Sequence, residues 1–169
     1  MRSTIAVVWI VLASTALAST AFAQSKPSCD TPAHHAFDFW LGDWDVKDAK
    51  GNAAGSSHVE RILDQCVIFE NWTSPGYEGK SFNTLNPKTQ KWTQYWVDTA
   101  GTTAEMTGAF EDKNLVYQRD MTRRDGTPAK SRMTFFNLAD GRVRQLVEQS
   151  TDNGKTWTTQ LDLHYTKKK

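Results

Sequence analysis

The sequence contains little of what several protein classes depend on. Its 20 basic and 19 acidic residues leave a formal net charge of +1, whereas binding to nucleic acid or an anionic membrane calls for a strongly basic surface. It has two cysteines and no Cys-x-x-Cys pair or Cys/His ligand spacing, so no structural zinc site is predicted. It also lacks the G-x-S-x-G, H-E-x-x-H and glycine-rich phosphate-loop motifs. These absences argue against a nucleic-acid-binding protein and against several common enzyme classes.

The first 23 residues have the pattern of a secretory signal peptide. Arg2 precedes an apolar stretch that runs from Ile5 to about Ala18, and the small-residue box Ala21-Phe22-Ala23 precedes Gln24. The alternative, a retained membrane anchor, is disfavoured because serine and threonine interrupt the apolar stretch, which is short for a span. No later run is apolar for long enough to cross a bilayer. We expect cleavage after Ala23, a periplasmic or secreted location, and no stable membrane anchor after cleavage.

The remaining chain fits one domain. Removing 23 of the 169 residues leaves 146, a length that suits a single hydrophobic core. Removing Arg2 also leaves 19 basic and 19 acidic residues, so the formal charge of the mature chain is zero. We divide the sequence into a signal peptide at 1–23, an N-terminal lead-in at 24–36 and a barrel domain at 37–169.

Both cysteines, Cys29 and Cys66, lie after the predicted cleavage site. An even cysteine count in an exported protein favours a disulfide. Such a bridge would tie the lead-in to the domain, and chain-entropy arguments give it about 3 to 4 kcal/mol of stabilisation. The alternative is two unrelated buried thiols.

From residue 43 onward the sequence predicts strands joined by short turns. Runs rich in Val, Thr, Phe, Tyr and Trp recur about every 8 to 16 residues, a spacing typical of an antiparallel sandwich or barrel. Short connections make neighbours in sequence neighbours in space, and closing such a meander removes its two exposed edges. We therefore predict an all-β fold, an antiparallel up-and-down β-barrel of about nine or ten strands. The predicted turns lie at 50–52, 74–76, 86–88, 100–101, 112–114, 124–126, 139–141 and 152–154.

Alternation along the predicted strands places aromatic and polar side chains on the same face. If that face points inward, the lumen mixes tryptophan with carboxylate and amide groups, which is the usual composition of a ligand pocket. The lumen candidates for ligand binding are Trp72, Trp92, Trp96, Glu70, Asn83 and Gln94. In the last strand the same rule assigns an inward face to Trp157, Thr159, Leu161, Leu163 and Tyr165.

The stretch FDFWLGDWDV, residues 37–46, predicts a short helical lid that leads into the first strand. Phe37, Trp40 and Leu41 have the spacing of one helical turn, Gly42 breaks that turn, and Trp44 begins the strand pattern. A glycine suits such a corner because it adopts backbone angles that other residues avoid. We predict that Phe37, Trp40, Gly42 and Trp44 form a barrel plug. A binding floor and a remnant catalytic site are the alternatives, disfavoured because aromatic residues dominate cores.

This opening carries a family resemblance. Gly42-Asp43-Trp44 resembles the G-x-W motif at the start of lipocalins and the wider calycin group, nitrobindin-like barrels included. Five segments, FDFWLGDWDV, ERILDQCVIFENW, GKSFNTLN, KWTQYWVDTAG and VRQLVEQSTDNGKTW, are similar to a bacterial family of small exported proteins known only as a domain of unknown function. The resemblance covers nearly the whole mature chain and implies a lipocalin-like barrel in a bacterial protein, with no established activity. It also makes Lys167 the candidate for the basic side chain that lies across the motif tryptophan in lipocalins.

Two carboxylates are weak candidates for acid/base catalysis. Glu70 and Asp98 would form a pair if both face the lumen, but a buried carboxyl group has a raised pKa whether or not it catalyses a reaction. The alternative is a hydrogen-bonded polar group that holds the register of the barrel. The segment from Ser150 to Trp157 fits a sialidase-type Asp-box, yet a single copy predicts only a hairpin turn, with Trp157 anchoring it to the core.

No cofactor or metal is predicted. The alternative is a nitrobindin-like haem site. It would need a histidine facing the lumen from a late strand, and His164, on a late strand, belongs to its polar face. His34 and His35 are adjacent and precede the lid, where they could bind a stray metal ion.

We expect an exported, monomeric or weakly dimeric barrel that binds a small, partly apolar molecule. One alternative is an isomerase or hydrolase that uses Glu70 or Asp98 as a general base. Another is a filled barrel that acts as a ligand-free interaction module in the envelope. The residues favour a binding protein over an enzyme.

Overall fold

The computed structural model describes residues 29–169. The predicted signal peptide at 1–23 and the start of the lead-in at 24–28 lie outside the described residues, so cleavage after Ala23 stays a prediction. The described chain begins with the helix α1 (Pro32–His35) and a 3₁₀ turn (Asp38–Trp40), which precede ten strands. The strands are β1 (Gly42–Asp48), β2 (Ala53–Ile62), β3 (Val67–Ser74), β4 (Tyr77–Asn86), β5 (Lys91–Asp98), β6 (Thr103–Glu111), β7 (Asn114–Thr122), β8 (Pro128–Asn137), β9 (Val143–Ser150) and β10 (Thr158–Lys167).

The ten strands form a closed antiparallel barrel. Each strand pairs with the next in sequence, and β1 pairs with β10 to close the sheet, with Val46 opposite Tyr165. Closure leaves no sheet edge open. The predicted all-β, up-and-down barrel is confirmed, and the architecture is consistent with a lipocalin-like fold.

The barrel has two different ends. The lid, residues 31–41, covers the end that holds the β2–β3, β4–β5, β6–β7 and β8–β9 turns, which we call the closed end. The opposite end holds the β1–β2, β3–β4, β5–β6, β7–β8 and β9–β10 turns, and we call it the open end.

One connection was missed. The predicted turns match eight of the strand connections, but β2 and β3 are joined through Leu63, Asp64 and Gln65, whose φ angles are 50°, 53° and 71°. Three successive residues in the left-handed region without a glycine do not resemble common turn sequences. The predicted turns therefore leave residues 53–73 without a break.

Aromatic packing closes the barrel beneath the lid. Phe37, Trp40 and Trp44 are fully buried. The ring of Phe37 stacks on Trp40 at 5.1 Å between centroids and meets Phe135 edge-on at the same distance. Large buried aromatic rings contribute strongly to core stability, so the predicted plug is a buried aromatic cluster.

The corner into β1 depends on glycine. Gly42 has a φ angle of 124°, which L side chains rarely adopt. Beyond it, the Trp44 indole donates a hydrogen bond to the Trp40 carbonyl oxygen at 2.8 Å. The ammonium nitrogen of Lys167 lies 5.4 Å from the centroid of the Trp44 ring, which confirms the predicted cation–π contact.

The lid begins earlier than predicted and is fastened by two links. Thr31 caps α1 by accepting a hydrogen bond from the His34 backbone. The predicted Cys29–Cys66 disulfide is present, with a Cα–Cα distance of 4.9 Å. The Arg61 side chain on β2 donates hydrogen bonds to the Asp38 carboxylate and to the His34 carbonyl oxygen. The helical pattern placed the lid at residue 37 because it followed only the apolar spacing.

The expectation for the last strand was wrong in part. The register shifts between Thr159 and Leu161, so a β-bulge interrupts β10. A bulge reverses which residues face inward. Leu163 and Tyr165 are buried as predicted, but Trp157 lies on the outer surface, where the Arg132 guanidinium sits 4.2 Å from its ring centroid. Trp157 therefore does not anchor the hairpin to the core.

Candidate functional site

A cavity of about 430 Å³ occupies the lumen toward the open end of the barrel. Apolar and aromatic side chains form most of its wall, and a few polar groups interrupt them. The apolar lining residues are Ala54, Trp72, Trp96, Ala104, Met106, Met133, Leu161 and Leu163, and those with polar groups are Glu70, Ser74, Tyr77, Gln94, Gln145 and Tyr165.

Two glycines keep this cavity open. A Cβ atom on Gly79 would lie 2.2 Å from the Trp96 indole, and one on Gly55 would lie 2.7 Å from the Trp72 indole. Each indole therefore rests against the backbone of a neighbouring strand, a close approach that only glycine permits. A larger residue at either position would force the ring to move.

Glu70 is the buried acid of the cavity. It lies on β3, its side chain is 4% exposed, and it lines the lumen. The Ser57 hydroxyl donates to one carboxylate oxygen and the Ser81 hydroxyl to the other, both at 2.9 Å. Burial raises the pKa of Glu70 to about 7, although both serine hydrogen bonds act to lower it. Glu70 can therefore be charged or neutral near neutral pH.

A polar network continues from Glu70 toward the closed end. Asn83 donates to the Ser81 hydroxyl at 3.1 Å and to the Ile68 carbonyl oxygen at 3.2 Å. Its side-chain oxygen accepts hydrogen bonds from Gln94 at 3.2 Å and from the Tyr117 hydroxyl at 3.0 Å. These bonds hold Gln94 at the cavity wall, and because Asn83 is fully buried its amide is part of the support beneath the cavity.

On the far side of the lumen, Tyr165 and Gln145 form a second polar pair. The Tyr165 hydroxyl donates to the Gln145 side-chain oxygen at 2.6 Å. Burial, and then the charge of Glu70, holds the pKa of Tyr165 well above its ordinary value. The Glu70 carboxylate and the Tyr165 phenol line the same cavity.

Asp98 lies at the rim, where its carboxylate positions other groups. It accepts hydrogen bonds from the Trp96 indole at 2.9 Å, from the Tyr77 hydroxyl at 2.8 Å, and from the backbone of Ala100 and Thr102. Desolvation opposes the charged form, but these bonds outweigh it and lower the pKa of Asp98 to about 2. A carboxylate with such a low pKa is a weak base near neutral pH. The arrangement favours a structural role for Asp98, which fixes the orientation of Trp96 and the β5–β6 turn.

The predicted ligand-binding residues fall into two groups. Glu70, Trp72, Gln94 and Trp96 line the cavity. Trp92 instead packs edge-on against Phe37 at the closed end, with its other side along a separate surface depression. Asn83 supports the wall without lining it. Alternation correctly predicted that these side chains face inward. It does not predict how far along the barrel axis each one lies.

Several lining residues were not singled out from the sequence. Met106, Met133 and Gln145 come from strands β6, β8 and β9. Tyr77 directly follows the predicted turn at 74–76, and its alternation with Gly79 and Ser81 on the same face of β4 was the signal that could have identified it. The glycines at 55 and 79 gave no sequence signal, because only the packed structure shows the rings that rest on them.

The histidines lie away from the cavity. His164 projects from β10 toward Asp162, with 3.3 Å between their nearest side-chain nitrogen and oxygen, and it pairs across the sheet with Arg144 and Lys47 on the outer face. His58 pairs with Asp43, and His35 lies between Asp30 and Asp38. Within residues 29–169, no group of three or more His, Cys, Asp or Glu side chains could hold a metal ion.

The sequence matches no known protein-family model, and it has no match among the curated proteins. Across the described part of the chain, no helix has the length and apolar character needed to span a membrane.

Proposed function

We propose that the protein is an exported barrel that binds a small, partly apolar molecule in the lumen. The lumen cavity is the observation that supports this function. Its volume of about 430 Å³ lies within the range of about 300–1,000 Å³ that ligand pockets occupy. Apolar walls with a few convergent polar groups, here Glu70, Gln94 and Gln145, are the usual composition of such pockets.

The cavity also weighs against a ligand-free envelope interaction module. That alternative expects a lumen filled by its own side chains. The glycines at 55 and 79 instead let two indole rings approach the backbone more closely than any other residue would permit, and these rings border the cavity.

The test is binding of a neutral fluorescent probe, N-phenyl-1-naphthylamine, whose emission rises in an apolar site. We expect saturable binding to the purified protein and its loss in Ala104→Phe, because Ala104 lines the cavity and a phenyl ring there would fill it. Thr103→Phe is the matched control, since Thr103 is exposed on the same strand. Equal binding to all three proteins would place the probe outside the cavity and count against the proposal.

We also propose export, and membership in the bacterial exported family that the sequence resembles. A disulfide supports an oxidising compartment, because disulfides persist in the periplasm and outside the cell. Intact-mass measurement of the exported protein without reduction tests this. The expected product starts at Gln24 and is lighter by two hydrogens than the dithiol form. A product that retains residue 1 would contradict export by cleavage.

A second candidate function, an isomerase or hydrolase, is supported by Glu70 alone. A buried carboxyl group with a pKa of about 7, lining a cavity, suits a general base. Turnover of a panel of nitrophenyl esters and enolisable ketones would test it. Catalysis by Glu70 predicts a loss of about a hundredfold or more in Glu70→Gln, whereas a binding protein shows no turnover to lose.

A further inference from the structure

The charge of the cavity indicates which ligands it suits. Among the residues that line it, Glu70 is the only one that carries a charge near neutral pH. Asp98 adds a second carboxylate at the rim, bonded to the lining residues Tyr77 and Trp96. Lysine, arginine and histidine do not occur in the lining. The space is therefore negative when Glu70 is ionised.

The positions of Glu70 and the aromatic rings complement a cation. Each Glu70 oxygen accepts one serine hydroxyl and keeps lone-pair capacity for another donor, since a carboxylate has about four acceptor positions. Trp72, Trp96 and Tyr165 border the same cavity, and aromatic faces attract ammonium groups. A carboxylate at depth with aromatic walls is a site for an ammonium group attached to an apolar body.

On these grounds we propose that the lumen binds a hydrophobic amine, whose protonated nitrogen pairs with Glu70 while its apolar body lies against Trp72 and Trp96. The inference deepens the proposed binding function and rests on it. It names a ligand class that composition and fold do not specify.

Ionisation of Glu70 then controls affinity. With a pKa of about 7 in the unliganded protein, Glu70 must lose its proton to pair with an ammonium group. The groups that face it are Ser57 from β2, Ser81 from β4 and the Tyr165 phenol from β10, and Asp98 lies at the rim. Affinity for an amine should therefore rise with pH through about 7, until the amine itself loses its proton near the pKa of a lysine, about 10.4.

Arg119 supports a competing expectation, which is that the lumen binds an anion. It alternates inward on β7, opposite the buried Ser131, and its Nε atom is buried with no hydrogen-bond partner among the described residues. It does not line the cavity. If its guanidinium turned into the lumen on binding, the preferred ligand would be an anion, and the test below separates the two outcomes.

The experiment compares three ligands of one shape by isothermal titration calorimetry: 4-phenylbutylamine, 4-phenyl-1-butanol and 4-phenylbutyrate. At about pH 8.5 we expect the amine to bind at least about tenfold more tightly than the alcohol, the difference that a charge-assisted hydrogen bond gives. Between about pH 8.5 and pH 6, affinity for the amine should fall about tenfold, while that for the alcohol stays level.

Glu70→Gln should abolish both the preference for the amine and its pH dependence, while the alcohol still binds. Glu105→Gln is the matched control, since Glu105 is an exposed acid on β6 that does not line the cavity, and its loss leaves Glu70 in place. The pH series on the unaltered protein stands even if a variant fails to fold.

The outcomes are distinguishable. Binding of the alcohol or the butyrate as tightly as the amine overturns the amine inference and leaves a binding cavity. Tighter binding of the butyrate that is lost in Arg119→Gln assigns the site to an anion and overturns it in the same way. If none of the three ligands binds and N-phenyl-1-naphthylamine does not bind either, the proposed function itself fails.

Discussion

The two ends of the barrel use the same kinds of residues in opposite ways. At the closed end, Trp40 and Trp44 are fully buried in an aromatic cluster. At the open end, Trp72 and Trp96 lie against the backbone at Gly55 and Gly79 and border a cavity of about 430 Å³. A tryptophan fills space when other side chains surround it, and it forms a cavity wall when a neighbouring glycine lets its ring approach the backbone.

This difference places the packed core and the proposed binding cavity at opposite ends of one sheet. Close packing of large apolar side chains supplies stability, whereas a cavity lacks those contacts and has polar groups such as Glu70 in its wall. The barrel accommodates both because the lid covers only one end. We therefore expect substitutions at the closed end to change stability and those around Glu70 to change pH behaviour and binding.

The largest expected effect is the contrast between two tryptophans. Trp40→Ala should lower the free energy of unfolding by about 3 to 5 kcal/mol, the usual cost of removing a large buried aromatic side chain. Trp96→Ala should cost less, on the order of 1 to 2 kcal/mol, because its ring already borders a cavity. Urea unfolding measures both. Equal losses would remove the distinction between the two ends.

Removal of the disulfide should be the next largest effect. The bridge joins residues separated by 37 positions, and Cys29→Ser with Cys66→Ser should lower the free energy of unfolding by about 3 to 4 kcal/mol, because the unfolded chain regains that loop entropy. Probe binding in the lumen should persist at temperatures where the variant remains folded. Loss of binding by the folded variant would show that the lid end and the cavity are coupled.

Stability should also depend on pH through Glu70. Because burial raises its pKa from 4.5 to about 7, the folded protein holds a proton that the unfolded chain releases. The contribution of Glu70 to stability is therefore fully present below about pH 4.5 and is lost as pH rises to about 7, a loss of up to about 3 kcal/mol. Unfolding curves at several pH values measure this loss.

Glu70→Gln is the control for that dependence, because it keeps the size of the side chain and removes the titration. His35 also has a raised pKa, caused by its hydrogen bonds to Asp30 and Asp38. Its effect on the pH dependence of stability is the same in both proteins and cancels in their difference. The difference between the two curves thus isolates Glu70. A difference that does not change between about pH 4.5 and pH 7 would mean that Glu70 ionises as freely in the folded protein as in the unfolded chain.

The smallest expected effect concerns Lys167. Lys167→Gln removes the ammonium group above Trp44 and should cost about 0.5 to 1 kcal/mol, as expected for an exposed cation–π contact. Lys169→Gln is the matched control at the chain terminus. Thermal unfolding of the two variants at low and high salt would show whether the contact contributes, and identical midpoints would show that it does not.

Much of the architecture was predictable because strand patterns and turn residues are local signals. Alternation placed Glu70, Trp72, Gln94 and Trp96 on the inner face, and even cysteine count with predicted export favoured the disulfide. The prediction was wrong where the chain departs from common turn sequences or from regular strand alternation. The turn at 63–65 has no glycine, and a bulge in β10 moved Trp157 to the outer surface.

These patterns do not predict how far along the barrel axis an inward-facing residue lies. Trp92 and Trp96 share one face of β5, yet Trp92 packs against the lid and Trp96 borders the cavity. Asp98 belongs to the same face, and its hydrogen bonds at the rim, not its position in the pattern, lower its pKa. Such differences arise from contacts between strands that are far apart in sequence.

The sequence by itself determined the all-β barrel, the lid that leads into β1 and the pairing of the two cysteines. Periodicity and turn chemistry are local properties of the chain, and two cysteines allow only one intramolecular disulfide. Only the tertiary structure decided that one end is packed and the other hollow. It also decided that Glu70 is buried between two serine hydroxyls while Asp98 stays charged at the rim. The physical reason is that burial and hydrogen bonding depend on which side chains from different strands lie at the same level along the barrel axis. That level is fixed only when the strands pair in register and the sheet closes.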